Sequence, residues 1–275
     1  MRLIFSRKGF DSASGGGPSP LLAGRPRSLP IPTKMPTVTR FVDVRDGIAS
    51  EVALLSGGRI TPDRPCHLDP DLDAAALRRQ PGWRGALGQV GAAQSHLRNQ
   101  GVTAGDIFLF WGLFQENSGP PEWRFRATKE HRIFGWLQIG SIWTIGDDPA
   151  ALLAAHPWLH AHPHTQAGTW PRTNTVYVAS EQLSIDGRQT TLPGWGLLPQ
   201  GHRLTAHGSP NPSTWNVPSW LDIHKGGVGM TYHPPARWQS PGRLQAAARG
   251  QEFVAPIGDR QDARQWLLTV LGEAS

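Results

Sequence analysis

The chain is 275 residues long, with 38% apolar and 17% charged residues, 32 Gly, 25 Pro and one Cys. That length buries a core in one large domain or two small ones; the lone Cys66 excludes an intrachain disulfide and a cysteine-built zinc site, and with no run of ~18 apolar residues and too short an apolar stretch at the start for a signal peptide, no membrane span and a cytoplasmic location are expected. The net charge of +6 lies wholly in residues 1–40, where seven Lys or Arg face one acid, Asp11, a concentration that suits phosphates although a solvated basic arm has the same composition.

In chain order, Arg2-Leu-Ile-Phe reads as a short strand, and residues 12–36 as a loop rich in Gly, Ser and Pro. Alternation predicts a strand over 38–44, and 49–55 is compatible with another. Acids at the start and arginines at the end predict a helix over 71–79. Leu87, Val90, Ala93 and Leu97 recur at three and four residues, which predicts a helix over 86–99 closed by Gly101. The unbroken apolar run 106–114 then reads as a strand buried on both faces. Strands follow at 123–127 and 133–145, a short helix at 148–155 with Pro149 in its first turn, and a strand at 175–179. Residues 185–237, dominated by Gly, Pro, Trp and His, yield no assignment. Helices at 240–249 and 259–271 close the chain, the second with Ala263, Trp266, Leu267 and Val270 on one face.

Four clusters carry candidate chemistry. Directly after the first strand comes Ser6-Arg-Lys-Gly-Phe-Asp-Ser-Ala-Ser-Gly-Gly-Gly-Pro. Glycines turn backbone N–H groups toward an anion, hydroxyls add donors and the basic pair adds charge, so Ser6, Arg7, Lys8, Gly9, Ser12, Gly15 and Gly16 are candidates for a phosphate cradle. The spacing matches neither of the two common Gly-rich nucleotide signatures, and a loop without a ligand fits it too. In Cys66-His-Leu-Asp-Pro-Asp-Leu-Asp, His67 with Asp69 is suited to proton transfer or to holding a metal, with Asp11 as a further acid. Asp69 as a helix N-cap before Pro70 is the alternative. His160, His162 and His164, two apart, would point to one side of an extended segment, a geometry open to a transition metal, although short His tracts also occur as plain loops. Among the aromatics of the strands, Trp111 and Trp136 are the candidates for stacking on a base, against a core role. No spacing names a cofactor.

Several of these stretches, in order, resemble the nucleotide modification associated domain 3 family. They are Phe5-Ser-Arg-Lys-Gly-Phe-Asp-Ser with Gly-Gly-Pro-Ser-Pro and Ser28-Leu-Pro-Ile-Pro; His67-Leu-Asp-Pro-Asp-Leu; Gly88 to Phe114; Asn174-Thr-Val-Tyr-Val-Ala-Ser-Glu; and Trp238 through Gly250-Gln-Glu-Phe-Val. The resemblance implies a protein linked to modified bases in DNA of bacteria and their phages, with no reaction attached. Residues 86–145 are also similar to the PUA, ASCH and EVE barrels that read modified bases. The expectation is therefore a single compact α+β domain over 1–275, its central mixed sheet partly barrel-like and flanked by helices, with a long basic loop at 6–36. Two functions follow from it. One is an enzyme acting on a base or nucleotide, with the 6–16 loop on phosphate and His67, Asp69 and Asp11 moving protons. The other is a non-enzymatic reader stacking a modified base on Trp111 or Trp136. The expected partner is DNA or a nucleotide.

Overall fold

A computed structural model describes residues 1–272 other than 12, 13, 36, 45, 46, 240, 241, 249 and 251. Its frame is a mixed sheet of nine strands: β1 Leu3–Arg7, β2 Ser19–Leu22, β3 Arg25–Pro26, β4 Ala86–Gln89, β5 Ile107–Asn117, β6 Glu130–Thr144, β7 Thr175–Ala179, β8 Trp195–Arg203 and β9 Glu252–Ala255. The order is β9-β1-β5-β6-β7-β4, with β8 paired to β6 and β2 lying along β5 beyond the end of β1. β1 runs parallel to β5, with Leu3 beside Ile107 and Arg7 beside Trp111, and antiparallel to β9.

The alternation of side chains along β1 and β5 divides the interior in two. Leu3, Phe5, Ile107, Leu109 and Trp111 join one core with Trp215, Trp220 and Leu244, while Ile4, Phe108 and Phe110 join another with Leu97, Leu137 and Tyr177. The apolar run 106–114 is thus a strand covered on both faces, as its composition predicts. Among the described residues four α-helices, α1 Ile48–Leu55, α2 Gly91–Asn99, α3 Ala150–Ala155 and α4 Gln261–Leu271, complete the α+β domain. Leu97 of α2 and Leu267 of α4 enter opposite cores.

The sheet is not closed into a barrel: the path ends on β9 at one side and β4 at the other, and these do not pair. Residues 86–89 are strand rather than helix. Leu87 pairs with Tyr177 on β7, and Val90, extended at φ −140°, is the cap from which α2 starts. Residues 71–79 are not helical: Asp71 bridges to Ala86, a turn follows at 74–76, and the Asp71 carboxylate is engaged by Arg79 and Trp83. Residues 38–44 hold a 3-10 turn, Phe41–Asp43, that buries Phe41, and 49–55 belong to α1, begun by Gly47 in the left-handed region. The 123–127 strand reduces to a single bridge between Asn117 and Phe125. Within 240–249, Arg243–Gln245 is a strand between Thr214–Asn216 and Trp238–Gln239 instead of a helix, with 240, 241 and 249 outside the described residues. In the unassigned 185–237 stretch, Gln182–Ile185 and Arg188–Pro193 make a hairpin whose turn residues Asp186 and Gly187 have φ of 55° and 74°, the type I′ geometry that Asp-Gly favours. Among the described residues no helix is long and apolar enough to cross a membrane.

Candidate functional site

The C-terminal end of β1 delivers the basic turn. Lys8 N–H donates to Trp111 O at 2.8 Å, extending the ladder by one residue, and Gly9 then bends the chain at φ 82°. Asp11 closes the turn. Its Oδ1 accepts from Ser14 N–H at 2.7 Å, its backbone oxygen accepts from Gly16 N–H, and its Oδ2 lies 2.8 Å from Arg7 Nη2. Lys8 Nζ is 3.3 Å from Glu252 Oε1, which also accepts from Ser6 Oγ at 3.0 Å and Gln89 Nε2 at 2.6 Å. Burial pushes the Glu252 pKa up, with Lys8, Ser6 and Gln89 opposing. The basic pair is therefore held by carboxylates in the protein itself.

Facing this turn is the extended segment that carries His67 and Asp69. Cys66–His67 pairs with Ile31–Pro32, so His67 is held by backbone bonds to the long N-terminal loop. Asp69 caps no helix. Its Oδ1 accepts from Gly88 N–H at 2.9 Å, and its Oδ2 lies 3.4 Å from His164 Nε2. His164 sits on the 3-10 turn Pro163–Thr165, stacked on Trp170 at 4.8 Å between ring centroids and edge-on to His67 at 5.3 Å. The three histidines two apart do not line up on one side, because the chain there is wound into 3-10 turns. His160 is exposed near Gln80, His162 is buried behind Asp69 with its Nε2 3.7 Å from the Asp69 Oδ1, and His164 is the one of the three that lines the cavity.

Hydrogen bonds fix the ring states. Asn174 Nδ2 donates to Gly146 O and His164 O, so its Oδ1 faces His164 Nδ1 at 2.7 Å and accepts the proton carried there. His162 Nδ1 accepts from His164 N–H, which leaves the His162 proton on Nε2, 3.7 Å from Asp69 Oδ1. Burial lowers the His67 pKa to about 4, with Asp69 opposing and His164 and Lys8 adding to the effect. It lowers His162 to about 3. Burial works against the Asp69 carboxylate as well, but the hydrogen bond and charge of the histidines hold its pKa well below the usual range. Asp69 is thus an anion flanked by neutral His67 and His162.

Arg7, Lys8, Gly9, Asp11 and Ser14 line one cavity of about 640 Å³ together with His67, Asp69, Gln89, His164 and Trp170. A smaller cavity of about 320 Å³, walled by Pro26, Leu72 and Phe134, also reaches His67 and Asp69. Of the other phosphate candidates, Ser6 is buried on Glu252, Gly15 packs on the Phe10 ring, Gly16 faces Arg59, and Ser12 lies outside the described residues. Trp111, 1% exposed, and Trp136, 5% exposed, lie in the first core and do not line the cavity. Sequence reasoning missed Gln89, Trp170, Asn174 and Glu252 as site residues. Gln89, Asn174 and Glu252 fall inside stretches that carry the family resemblance, and Trp170 had no signal.

A model of nucleotide modification associated domain 3 matches residues 2–256. The chain belongs to that family. No curated protein and no solved structure matches it. The family's description ties the chain to nucleotide modification. The stretches that resemble the nucleotide modification associated domain 3 family converge on the cavity. They bring Arg7 and Lys8, His67 and Asp69, Gly88 and Gln89, Asn174 behind His164, and Gly250 on the wall with Glu252 behind it. The match ends before α4, which packs on the first core away from this site.

Gly88 is required by close approach, since a Cβ there would lie 2.1 Å from the His164 ring. Gly88→Ala should force His164 off Asp69 and Trp170 and cost about 1–3 kcal/mol by overpacking. A crystal structure and a denaturation curve of the variant check both; an unmoved His164 ring would contradict the geometry.

Proposed function

We propose that the chain binds a nucleotide, free or as one base turned out of a DNA strand, in the larger cavity and acts on it chemically. The observation that supports this reading is that the basic turn 7–14 and the His67–Asp69 pair, far apart in sequence, line one cavity of about 640 Å³, within the ~300–1,000 Å³ of small-molecule sites. Arg7, kept in place by Asp11, and the backbone around Gly9 would meet phosphate oxygens. Trp170, on the cavity wall and already stacked on an imidazole, offers the face for a base that Trp111 and Trp136 do not. His67 is neutral and lines the cavity, so its ring is free to take a proton from bound substrate while Asp69 stabilises the charge that forms.

The test uses a panel of deoxynucleoside 5′-monophosphates with natural and 5-substituted bases, and short single strands of the same bases, followed by mass spectrometry. His67→Ala should lower turnover by at least ~100-fold and leave affinity within a few-fold, because an acid/base group acts chiefly in the transition state. If no probe changes mass and the substitution lowers affinity, the chain is a reader and not an enzyme.

A further inference from the structure

We propose that His67, Asp69 and His164 bind one divalent first-row transition-metal ion, of the class that includes Zn²⁺, on the wall of the larger cavity. The inference rests on the same cavity as the proposed function but on separate grounds, and with the ion bound the His67 lone pair serves as its ligand instead of accepting a proton from substrate. A ligand atom from each of the three residues lies within 4.8 Å of the others. Asp69 Oδ2 and His164 Nε2 are already 3.4 Å apart, the spacing of two ligands at ~2.0–2.1 Å around one tetrahedral ion. His67 completes the set by closing from within 4.8 Å toward the same spacing.

The direction of the hydrogen bonds carries the argument. Asn174 Oδ1 takes the Nδ1 proton of His164, so the Nε2 of that ring faces the ionised Asp69 oxygen at 3.4 Å, a gap that a proton on Nε2 bridges in the cationic ring and that a metal ion bridges in the neutral one. The third ligand atom, from His67, within 4.8 Å of the other two is what a proton between His164 and Asp69 does not account for and a metal ion does. His162 shows the contrast. Its Nδ1 accepts a backbone proton, so its Nε2–H points at the other oxygen of Asp69 and steadies the carboxylate from behind. The ring of His67 makes no hydrogen bond among the described residues, and it lines both cavities. Asn174 on His164 and His162 with Gly88 N–H on Asp69 are the outer partners that orient metal ligands.

Charge and ligand type agree with this. Lys8 is matched by Glu252 and Arg7 by Asp11, which leaves Asp69 to set the sign of the cluster. Two imidazoles and one carboxylate select a borderline transition ion over Mg²⁺ or Ca²⁺, which take oxygen ligands. Three protein ligands leave coordination positions open toward the cavity, the arrangement of catalytic rather than structural metal sites.

The test uses full-length protein stripped with a chelator, with Co²⁺ as the spectroscopic probe and Zn²⁺ as competitor, and no substrate present. One equivalent of Co²⁺ should bind with visible d–d absorption, Zn²⁺ should displace it and millimolar Mg²⁺ should not. His164→Ala and His67→Ala should each weaken uptake by at least 100-fold, and Asn174→Ala by ~10–100-fold as a positioning residue. His160→Ala should leave it unchanged. Circular dichroism confirms folding, and because His67 and His164 lie on different segments, either variant suffices if the other fails to fold. Uptake well below one equivalent, or uptake equal in wild type and a folded His67→Ala or His164→Ala, overturns the proposal. Nucleotide binding by the stripped protein is measured separately, so the metal reading can fall while the nucleotide reading stands.

Discussion

Replacing Trp111 with Ala should lower the unfolding free energy by about 3–5 kcal/mol and leave nucleotide affinity per folded molecule within a few-fold. The indole is 1% exposed. It stands edge-on to Trp215 at 4.9 Å, lies 4.7 Å from His131 and is stacked on Phe253 at 5.9 Å, so truncation opens a cavity that three large rings cannot fill without shifting. With a domain stability of roughly 5–15 kcal/mol, the fall in Tm should be on the order of 10 °C. Trp111→Phe provides the internal control. Trp111 Nε1 is buried with no acceptor among the described residues, a loss of about 1–3 kcal/mol that Phe avoids while retaining most of the aromatic body. The Phe variant should therefore lose less than about 1.5 kcal/mol. Arg7 lies 5.7 Å over the indole and lines the cavity, which is why a few-fold effect on affinity is allowed. If Ala at 111 instead left Tm unchanged and weakened nucleotide binding tenfold or more, a base would be stacking there and the core assignment would be wrong.

The parity of that strand was readable in advance and decides the matter. Trp111 has the same parity as Ile107 and Leu109, and all three face one core, so an indole at that position belongs with them rather than with a pocket. What the sequence could not convey is which distant segments share a space. The composition around Arg7 and Lys8 marks a basic turn, and His67 beside Asp69 marks a chemical pair, but only the register of β1 on β5 and of Ile31–Pro32 on Cys66–His67 places the two on one cavity. His164 was visible only as one of three histidines. Its selection over His160 depends on 3-10 turns and on Asn174, which alternation along an extended chain does not foresee. Other misses were legible. Asp186-Gly187 is a hairpin signal, and Asp11 four residues after Arg7 and three before Ser14 has the spacing of a self-closing turn. Asp69 misled because acids ahead of a proline suit a helix start, whereas its oxygens are occupied by Gly88 N–H and His164.

Acidification should unfold the protein through two buried histidines that do not line the cavity. His131 Nδ1 accepts from Trp215 Nε1 at 2.9 Å, and His233 donates from Nδ1 to Thr231 O at 2.7 Å while its Nε2 accepts from Ala247 N–H at 3.0 Å. Each ring is therefore bonded in its neutral form, and a proton on the accepting nitrogen breaks that bond. Burial, with Arg7 adding, lowers the His131 pKa to about 3; burial, with Thr231 opposing and Arg237 adding, lowers His233 to about 4. Since an unfolded histidine titrates near ~6.5, the stability these rings contribute is complete above that pH and is lost as pH falls from there toward the folded values. In that window the unfolded state binds the extra protons, each worth about 1.4 kcal/mol per pH unit, so at pH 5 the pair should remove roughly 4 kcal/mol. His67 and His162 act in the same sense, while Asp71 and Glu252, both pushed up by burial, act against it. A variant comparison separates them. In His131→Asn the amide oxygen can replace Nδ1 as acceptor, and in His233→Gln the amide both donates and accepts, so the double variant keeps the bonds without the titration. Urea unfolding at several values between pH 6 and 4.5 should show its stability falling less steeply than wild type by about 2.7 kcal/mol per pH unit, the share of two protons. Identical slopes would mean that these rings already take up protons in the folded state, and that the hydrogen bonds assigning them as neutral are misplaced.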